Sequence, residues 1–428
     1  MSILLALVIF SVLVLFHEFG HFLFAKLNHI TVLEFSLGMG PKLLSFEKGG
    51  TLYCLKLFPF GGSCMMQGED GEDETEGSFN AAPVWGRISV VAAGPIFNFI
   101  LAFLFAMVVV GISGFDRPVV TTVEEGSAAE AAGLQAGDQI TKFDGYGVSL
   151  GRDLYMYMNL VGAPDDQVRV EYLRDGVKQS LVYVPDSEER YMLGFNYYAD
   201  EQEPLVASVS LGGAMAEAGV KSGDVILELD GTEIHTGAEL EKYMADHPMD
   251  GSVIHMVYKR GDKVEEADVT PSMHMAVDIG FGYNMAYEKA DALGVLRYGF
   301  EEVKYWIKTT VLSLRMLVTG KVGINDMSGP VGIVSTIGDT YEESKSYGAA
   351  VTLATMLELV ILLSANLGVM NLLPIPALDG GRLIFLLVEA IRRKPVNREL
   401  EGKIHFAGFA LLMLLIVYVS IHDIVKLF

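Results

Sequence analysis

The stretch His17-Glu18-Phe19-Gly20-His21 lies inside an apolar run from Ile3 to about Leu27. Residues four apart share a face of a helix, so both imidazoles can reach one metal ion, with Glu18 beside them. A zinc ion on two imidazoles and a third protein ligand keeps one position open and lowers the pKa of bound water to about 7; a neighbouring carboxylate can take that proton. This is hydrolase chemistry. Ionisable groups at the centre of a membrane helix cost about 2.5–3.5 kcal/mol each, which favours function over coincidence. At about 1.5 Å per residue, His17 stands roughly 21 Å from Ile3 along a hydrocarbon core of about 30 Å, so water is expected from the face beyond Leu27.

The remaining ligand has to come from elsewhere in the chain. A third apolar run, Ala349 to Leu373, holds Glu358, Ser364, Asn366 and Asn371, breaks at Pro374 and Pro376, and leads to Leu378-Asp379-Gly380-Gly381. Broken helices at membrane depth are tolerated where they line a cavity, and Asp379 is the candidate ligand. The second run, about Val84 to Ile112, opens with Arg87 and contains Ala93-Gly94-Pro95-Ile96-Phe97-Asn98. Gly94 and Asn98 share a face there; close helix packing and a substrate-binding role both stay open. A last run covers about Ile404 to Val425, preceded by Arg392, Arg393, Lys394, Arg398 and Lys403. That basic cluster predicts a cytoplasmic loop. Four spans then put both chain ends and the segment between spans two and three outside, with the active site opening towards the cytoplasm.

The 428 residues are 51% hydrophobic with a mean hydropathy of +0.37, as expected for several spans joined to soluble modules. Net charge is −23, and 32 acidic against 13 basic residues fall between Ser113 and Ala290. Such a surface repels nucleic acid and anionic lipid. Cys54 and Cys64 alone cannot make a disulfide framework and are read as structural. The first run lacks a basic n-region and a small-x-small cleavage site, so it is expected to stay as a helix.

Between the spans the pattern changes. Thr31–Leu37, Lys42–Phe46 and Thr51–Phe58 are short β-type runs with a Gly49-Gly50 turn, which predicts a membrane-associated sheet within 30–66. The acidic stretch 67–77 predicts a solvated loop. Gly126–Gly145 and Gly212–Gly231 align without gaps at an offset of 86 with nine identities in twenty. Two copies of one α+β module are the natural reading, divided at 113–200 and 201–285. Leu293, Leu296, Phe300, Val303, Ile307, Val311, Leu314 and Val318 then mark an amphipathic helix, either on the membrane or under the modules. Lys321–Thr340 reads as a Gly-rich connection, and 286–345 as helix plus connection between membrane parts 1–112 and 346–428.

Taken together, HEFGH, Ala93-Gly94-Pro95 to Asn98, the paired modules and Asn371-Leu372-Leu373-Pro374-Ile375-Pro376-Ala377-Leu378-Asp379-Gly380-Gly381 resemble the site-2 protease family of intramembrane zinc metalloproteases. Within it, the chain is similar to the bacterial regulator-of-sigma-E protease branch with tandem PDZ domains. The resemblance implies a polytopic α-helical membrane protein of four transmembrane helices, a membrane-associated β-sheet and two extracytoplasmic PDZ-like domains, in the inner or plasma membrane. It implies one zinc ion per chain on His17, His21 and Asp379, with Glu18 as general base and acid. Asn371 would hold the substrate backbone, and the sheet edge would pair with an unwound substrate helix. Single-span membrane proteins such as anti-sigma factors or remnant signal peptides would be cleaved, and peptide termini or extended segments would bind the PDZ-like modules by β-augmentation. One departure stands at Gly61-Gly62-Ser63-Cys64, where many relatives carry a large side chain after the glycines; it bears on substrate preference. A zinc transporter and a non-catalytic scaffold are the rival classes.

Overall fold

The structure, a computed structural model, describes residues 2–69, 73–162, 164, 166–197, 199, 202–210, 212–320 and 328–426. Residues 70–72 of the acidic stretch, residue 165 and residues 321–327 of the expected connection lie outside the described residues. Among the described residues, four helices are long and apolar enough to cross a membrane: α1 (Ser2–Leu27), α2 (Val84–Ser113), α9 (Ala349–Leu372) and α11 (Arg398–Lys426, apolar to Val425). Between α2 and α9 come α3 (Ala128–Ala131), α4 (Gly151–Leu160), α5 (Ala214–Glu217), α6 (Gly237–Asp246), α7 (Ala292–Val318) and α8 (Pro330–Lys345), and α10 (Asp379–Arg392) precedes α11. The chain forms two compact units, one of residues 1–118, 149–156 and 284–428 and one of 119–148 and 157–283.

In the first unit, α2 is the central helix. Ala6, Ile9 and Leu13 of α1 pack with Leu101 of α2 and Val360 of α9, and Ala102, Ala106 and Val109 of α2 pack with Val303 of α7 and Ile361 of α9. Small residues set the approach distances: a Cβ on Gly20 would lie 2.4 Å from the Ala93 carbonyl oxygen, so α1 and α2 touch through backbone there. The expected amphipathic helix is α7: Val303 and Ile307 of its apolar stripe pack with α2 and α9, while Leu293, Leu296, Phe300, Val311 and Val318 are exposed. Thr310 of α7 donates to the side-chain oxygen of Asn366 of α9, so one of the polar residues of the third apolar run has its partner on α7.

Two helices stand where sequence reading expected irregular chain. α8 begins with Pro330 at its first turn, a position where the missing N–H costs nothing. The carboxylate of Asp423, from α11, accepts from the N–H groups of Gly329 at 3.1 Å and Gly332 at 2.8 Å and so closes the N-terminus. α10 starts at Asp379 and buries Leu386 against Val90 and Val91 of α2.

The segment after α1 is a hairpin of two long bent strands, β1 (Val32–Lys48) and β2 (Thr51–Met66). Phe35 faces both Tyr53 and Cys64, and Leu37 faces both Leu55 and Gly62, so 34–37 lies between two segments of β2. The edges are 42–48 and 61–66. The second edge was missed because Gly61-Gly62-Ser63 carries neither alternation nor β-branched residues. The acidic stretch that follows is partnered among its described residues: Arg382 of α10 donates to Glu69 Oε1 at 2.5 Å and to its carbonyl at 2.7 Å, and Arg398 pairs with Glu74 at 2.9 Å.

The second unit repeats itself at the offset of 86, far beyond the twenty residues that betray the repeat. Strands Gln139–Phe143, Val168–Arg174 and Val177–Tyr183 recur as Val225–Leu229, Ile254–Arg260 and Lys263–Val269, each set in a four-stranded sheet. The fork of Arg174 on Asp138 recurs as Arg260 on Asp224. The flanking strands are exchanged: Phe195–Tyr197 pairs with Val206–Val209, while Phe281–Tyr283 pairs back with Val120–Val123. Asp186–Met192 pairs with Ser272–Asp278. The modules therefore interlock across the 200/201 boundary expected from sequence, a non-local pairing that a linear repeat cannot announce.

Candidate active site

Three side chains from two distant elements converge. His17 and His21 lie one turn apart on α1, with their Nε2 atoms 3.2 Å apart. Asp379, first residue of α10, places Oδ2 at 3.2 Å from His17 Nε2 and 3.5 Å from His21 Nε2. Among the described residues this is the group of His, Cys, Asp or Glu side chains able to hold a metal ion. Tetrahedral zinc with bonds of about 2.0–2.1 Å separates its ligand atoms by about 3.3 Å, so this set fits the ion. Asp379 Oδ2 is buried with no hydrogen bond, which suits an oxygen that binds a cation.

The surroundings fix which ring nitrogens face the centre. His21 Nδ1 lies 2.9 Å from the Val90 carbonyl oxygen, which can only accept, so Nδ1 carries the proton and Nε2 keeps its lone pair. That carbonyl lies one residue before Val91, whose own carbonyl is left without its helical donor by Pro95 inside α2. The amide of the fully buried Asn98 meets His17 Nδ1 at 3.1 Å, and its Oδ1 has no partner. An amide turned over fills the same volume and offers that oxygen to a protonated Nδ1, the tautomer that a metal on Nε2 requires. Ser364 of α9 donates to the Asn98 carbonyl at 2.7 Å and ties the third span to this turn. Gly94 lies against the imidazoles: a Cβ there would be 2.3 Å from His21 Nε2 and 2.8 Å from His17 Cε1. For Gly94 and Asn98 the geometry describes contact with the histidines, beside the helix packing and substrate binding expected from sequence.

Glu18 follows His17 on α1, and its side chain runs along the sheet edge, where a Cβ on Gly62 would be 3.1 Å from Glu18 Cγ. Gly62, which precedes the departure at Ser63-Cys64, thus sits beside the candidate base. Asn371, in the last turn of α9, is half-buried and its amide makes no hydrogen bond to a described residue. Sequence reasoning gave Arg87 no role; its buried guanidinium grips the half-buried Glu389 at 2.6 and 3.1 Å and so ties α2 to α10, the helix that carries Asp379. An arginine at the start of an apolar run was the available signal.

Residues 5–415 match peptidase family M50. The chain belongs to that family. The zinc metalloprotease RasP of Geobacillus kaustophilus is 31% identical over 100% of this chain and 98% of its own length. The regulator of sigma-W protease RasP of Bacillus subtilis is 33% identical over 100% of this chain and 99% of its own length. Among solved structures, the HtrA3 PDZ domain bound to a phage-derived ligand covers 21% of this chain and 92% of that one, at 16% identity and a TM-score of 0.19. This M50 peptidase is an intramembrane zinc metalloprotease of four apolar helices.

Proposed function

We propose that this M50 protease hydrolyses peptide bonds in the spanning segments of single-span membrane proteins, with one zinc ion per chain on His17, His21 and Asp379. The observation that carries the reading is the convergence of those three ligand atoms with Glu18 next to the first of them. When bound, zinc supplies Lewis acidity, which acidifies water and polarises a peptide carbonyl. Glu18 takes the proton of the attacking water and delivers it to the departing amide nitrogen. Val90 and Asn98 hold the imidazoles in the tautomers that leave Nε2 facing the centre, and Gly94 leaves room for both rings.

A helical substrate hides its backbone in its own hydrogen bonds, and unwinding it in lipid requires new partners. Asn371 offers an amide donor and acceptor, and the sheet edge 61–66 beside Glu18 offers backbone groups. The name of the Bacillus subtilis relative, a regulator of sigma-W protease, supports anti-sigma factors as one substrate class, with remnant signal peptides as the other. The two modules are PDZ-like, extracytoplasmic, and take peptide termini or extended segments. The basic residues 392–403 hold their loop in the cytoplasm, which turns the active site to that side. Purified protein in detergent, incubated with a panel of single-span peptides and analysed by mass spectrometry, should give cuts inside the apolar segments that stop with chelator and return with zinc. Cuts confined to polar flanks, or cleavage indifferent to chelation, would refute this.

A further inference from the structure

Asp379 reaches the site at the end of a strained turn. Ile375-Pro376-Ala377-Leu378 has the form of a type II turn: proline in the second position, a φ of 78° at Ala377 in the third, and the Leu378 N–H donating to the Ile375 carbonyl at 3.2 Å. That third position suits glycine, and a Cβ there is strained unless the surroundings hold it. The chain then enters α10 with no slack, because the Cβ positions of Gly380 and Gly381 would fall 2.2 Å from the Leu373 and 2.4 Å from the Ile375 carbonyl oxygens.

Two contacts hold the turn from outside, and both come from one face of α11. His405 Nδ1 accepts the N–H of Ala377 at 2.9 Å, while the ring packs on Phe385 of α10 with centroids 5.6 Å apart. Three residues on, a Cβ on Gly408 would lie 2.5 Å from Pro376 Cβ and 2.7 Å from its carbonyl oxygen, so the helix backbone rests on the proline. Glycine inside a helix is unfavourable without such a reason. Neither residue belongs to the motifs that mark the metal site.

We propose that His405 is a positioning residue for the metal site: by accepting the Ala377 N–H it holds the turn in the conformation that presents Asp379 to the two imidazoles. The last span is thereby part of the site without touching it. This rests on Asp379 being a zinc ligand. The test uses the full chain purified in detergent, with zinc affinity read by chelator competition, the visible spectrum of the cobalt-substituted protein, and thermal unfolding. His405→Phe keeps a ring against Phe385 and loses the acceptor; zinc affinity should fall tenfold or more and the cobalt bands should shift, the size of effect known for partners of metal ligands. His405→Asn, whose Oδ1 stands where the imidazole Nδ1 does and can accept the same N–H, should bind zinc nearly as the parent does. Adding Ala377→Gly to His405→Phe should restore most of the affinity, because glycine holds a positive φ without help. Gly408→Ala should weaken zinc with the same spectral change. Parental affinity and spectrum in His405→Phe would overturn the proposal, and so would a loss that Ala377→Gly leaves untouched, since that marks general packing. Asp379→Ala with undiminished zinc would overturn the ligand assignment itself, and is read separately from the His405 series.

Discussion

A single methyl group at Gly94 should empty the metal site. The Cβ of Gly94→Ala would stand 2.3 Å from His21 Nε2, 2.6 Å from its Cε1 and 2.8 Å from His17 Cε1, whereas ordinary contacts begin near 3.4 Å. The His21 ring must retreat by about 1.1 Å, and metal–ligand bonds tolerate only about 0.2 Å. Neither α1 nor α2 can yield, because their backbones already touch at Gly20 and Ala93. We expect zinc affinity to fall at least a hundredfold, about 2.7 kcal/mol. Metal content by mass spectrometry and chelator competition on detergent-purified protein measure this. Gly111→Ala is the matched control, on the same helix with nothing within 4 Å of its Cβ, and should keep zinc with stability unchanged or raised by up to about 1 kcal/mol. Parental zinc affinity in Gly94→Ala would refute the packing of both imidazoles on α2.

Other outcomes follow from the same geometry. Asn371→Leu, close in volume, should keep zinc and lose at least tenfold in cleavage, with a smaller loss on substrates that carry Gly or Pro near the cut; equal loss on every substrate with a lowered Tm would mark a packing role. Arg87→Ala strips the partner from the half-buried Glu389 carboxylate and should cost about 1.5–3 kcal/mol in denaturant unfolding, while Arg87→Met with Glu389→Leu should cost less. Glu302 of α7 is buried beside Arg152 with Oε2 unpartnered, and burial pushes its carboxyl from 4.5 up to about 7 against the pull of Arg152. The unfolded chain releases that proton first, so stability should be fullest below pH 4.5 and fall as pH rises to 7. Glu302→Gln should flatten the profile; an unchanged slope would remove this group as its source.

The parts of the architecture legible in the sequence are those with a local signature. Twenty-odd apolar residues announce a span whatever surrounds them, and all four spans stand close to where hydropathy puts them. His17 and His21 at i, i+4 fix their common face by helix geometry alone. Asp379 is different, since only its place after two helix-breaking prolines suggested a site, and the convergence on α1 is a tertiary fact. α10 was hidden behind those prolines and glycines, although its apolar Leu383 and Leu386 recur at helical spacing. α8 was hidden because its N-terminus is closed by Asp423, 91 residues beyond Gly332. The roles of Val90, Ala377 and His405 depend on backbone groups or on partners far along the chain, which no residue type reveals. The strand exchange in the repeats belongs to the same class.

The central claim is that Glu18 moves the proton at a zinc site built by His17, His21 and Asp379. Its most direct test is Glu18→Gln, purified beside the parent, with zinc per chain and cleavage of one single-span peptide measured on the same samples. The account predicts one zinc ion in both proteins and cleavage reduced by at least a thousandfold in the variant, roughly 4 kcal/mol of transition-state stabilisation. Cleavage at the parental rate with zinc in place would contradict it.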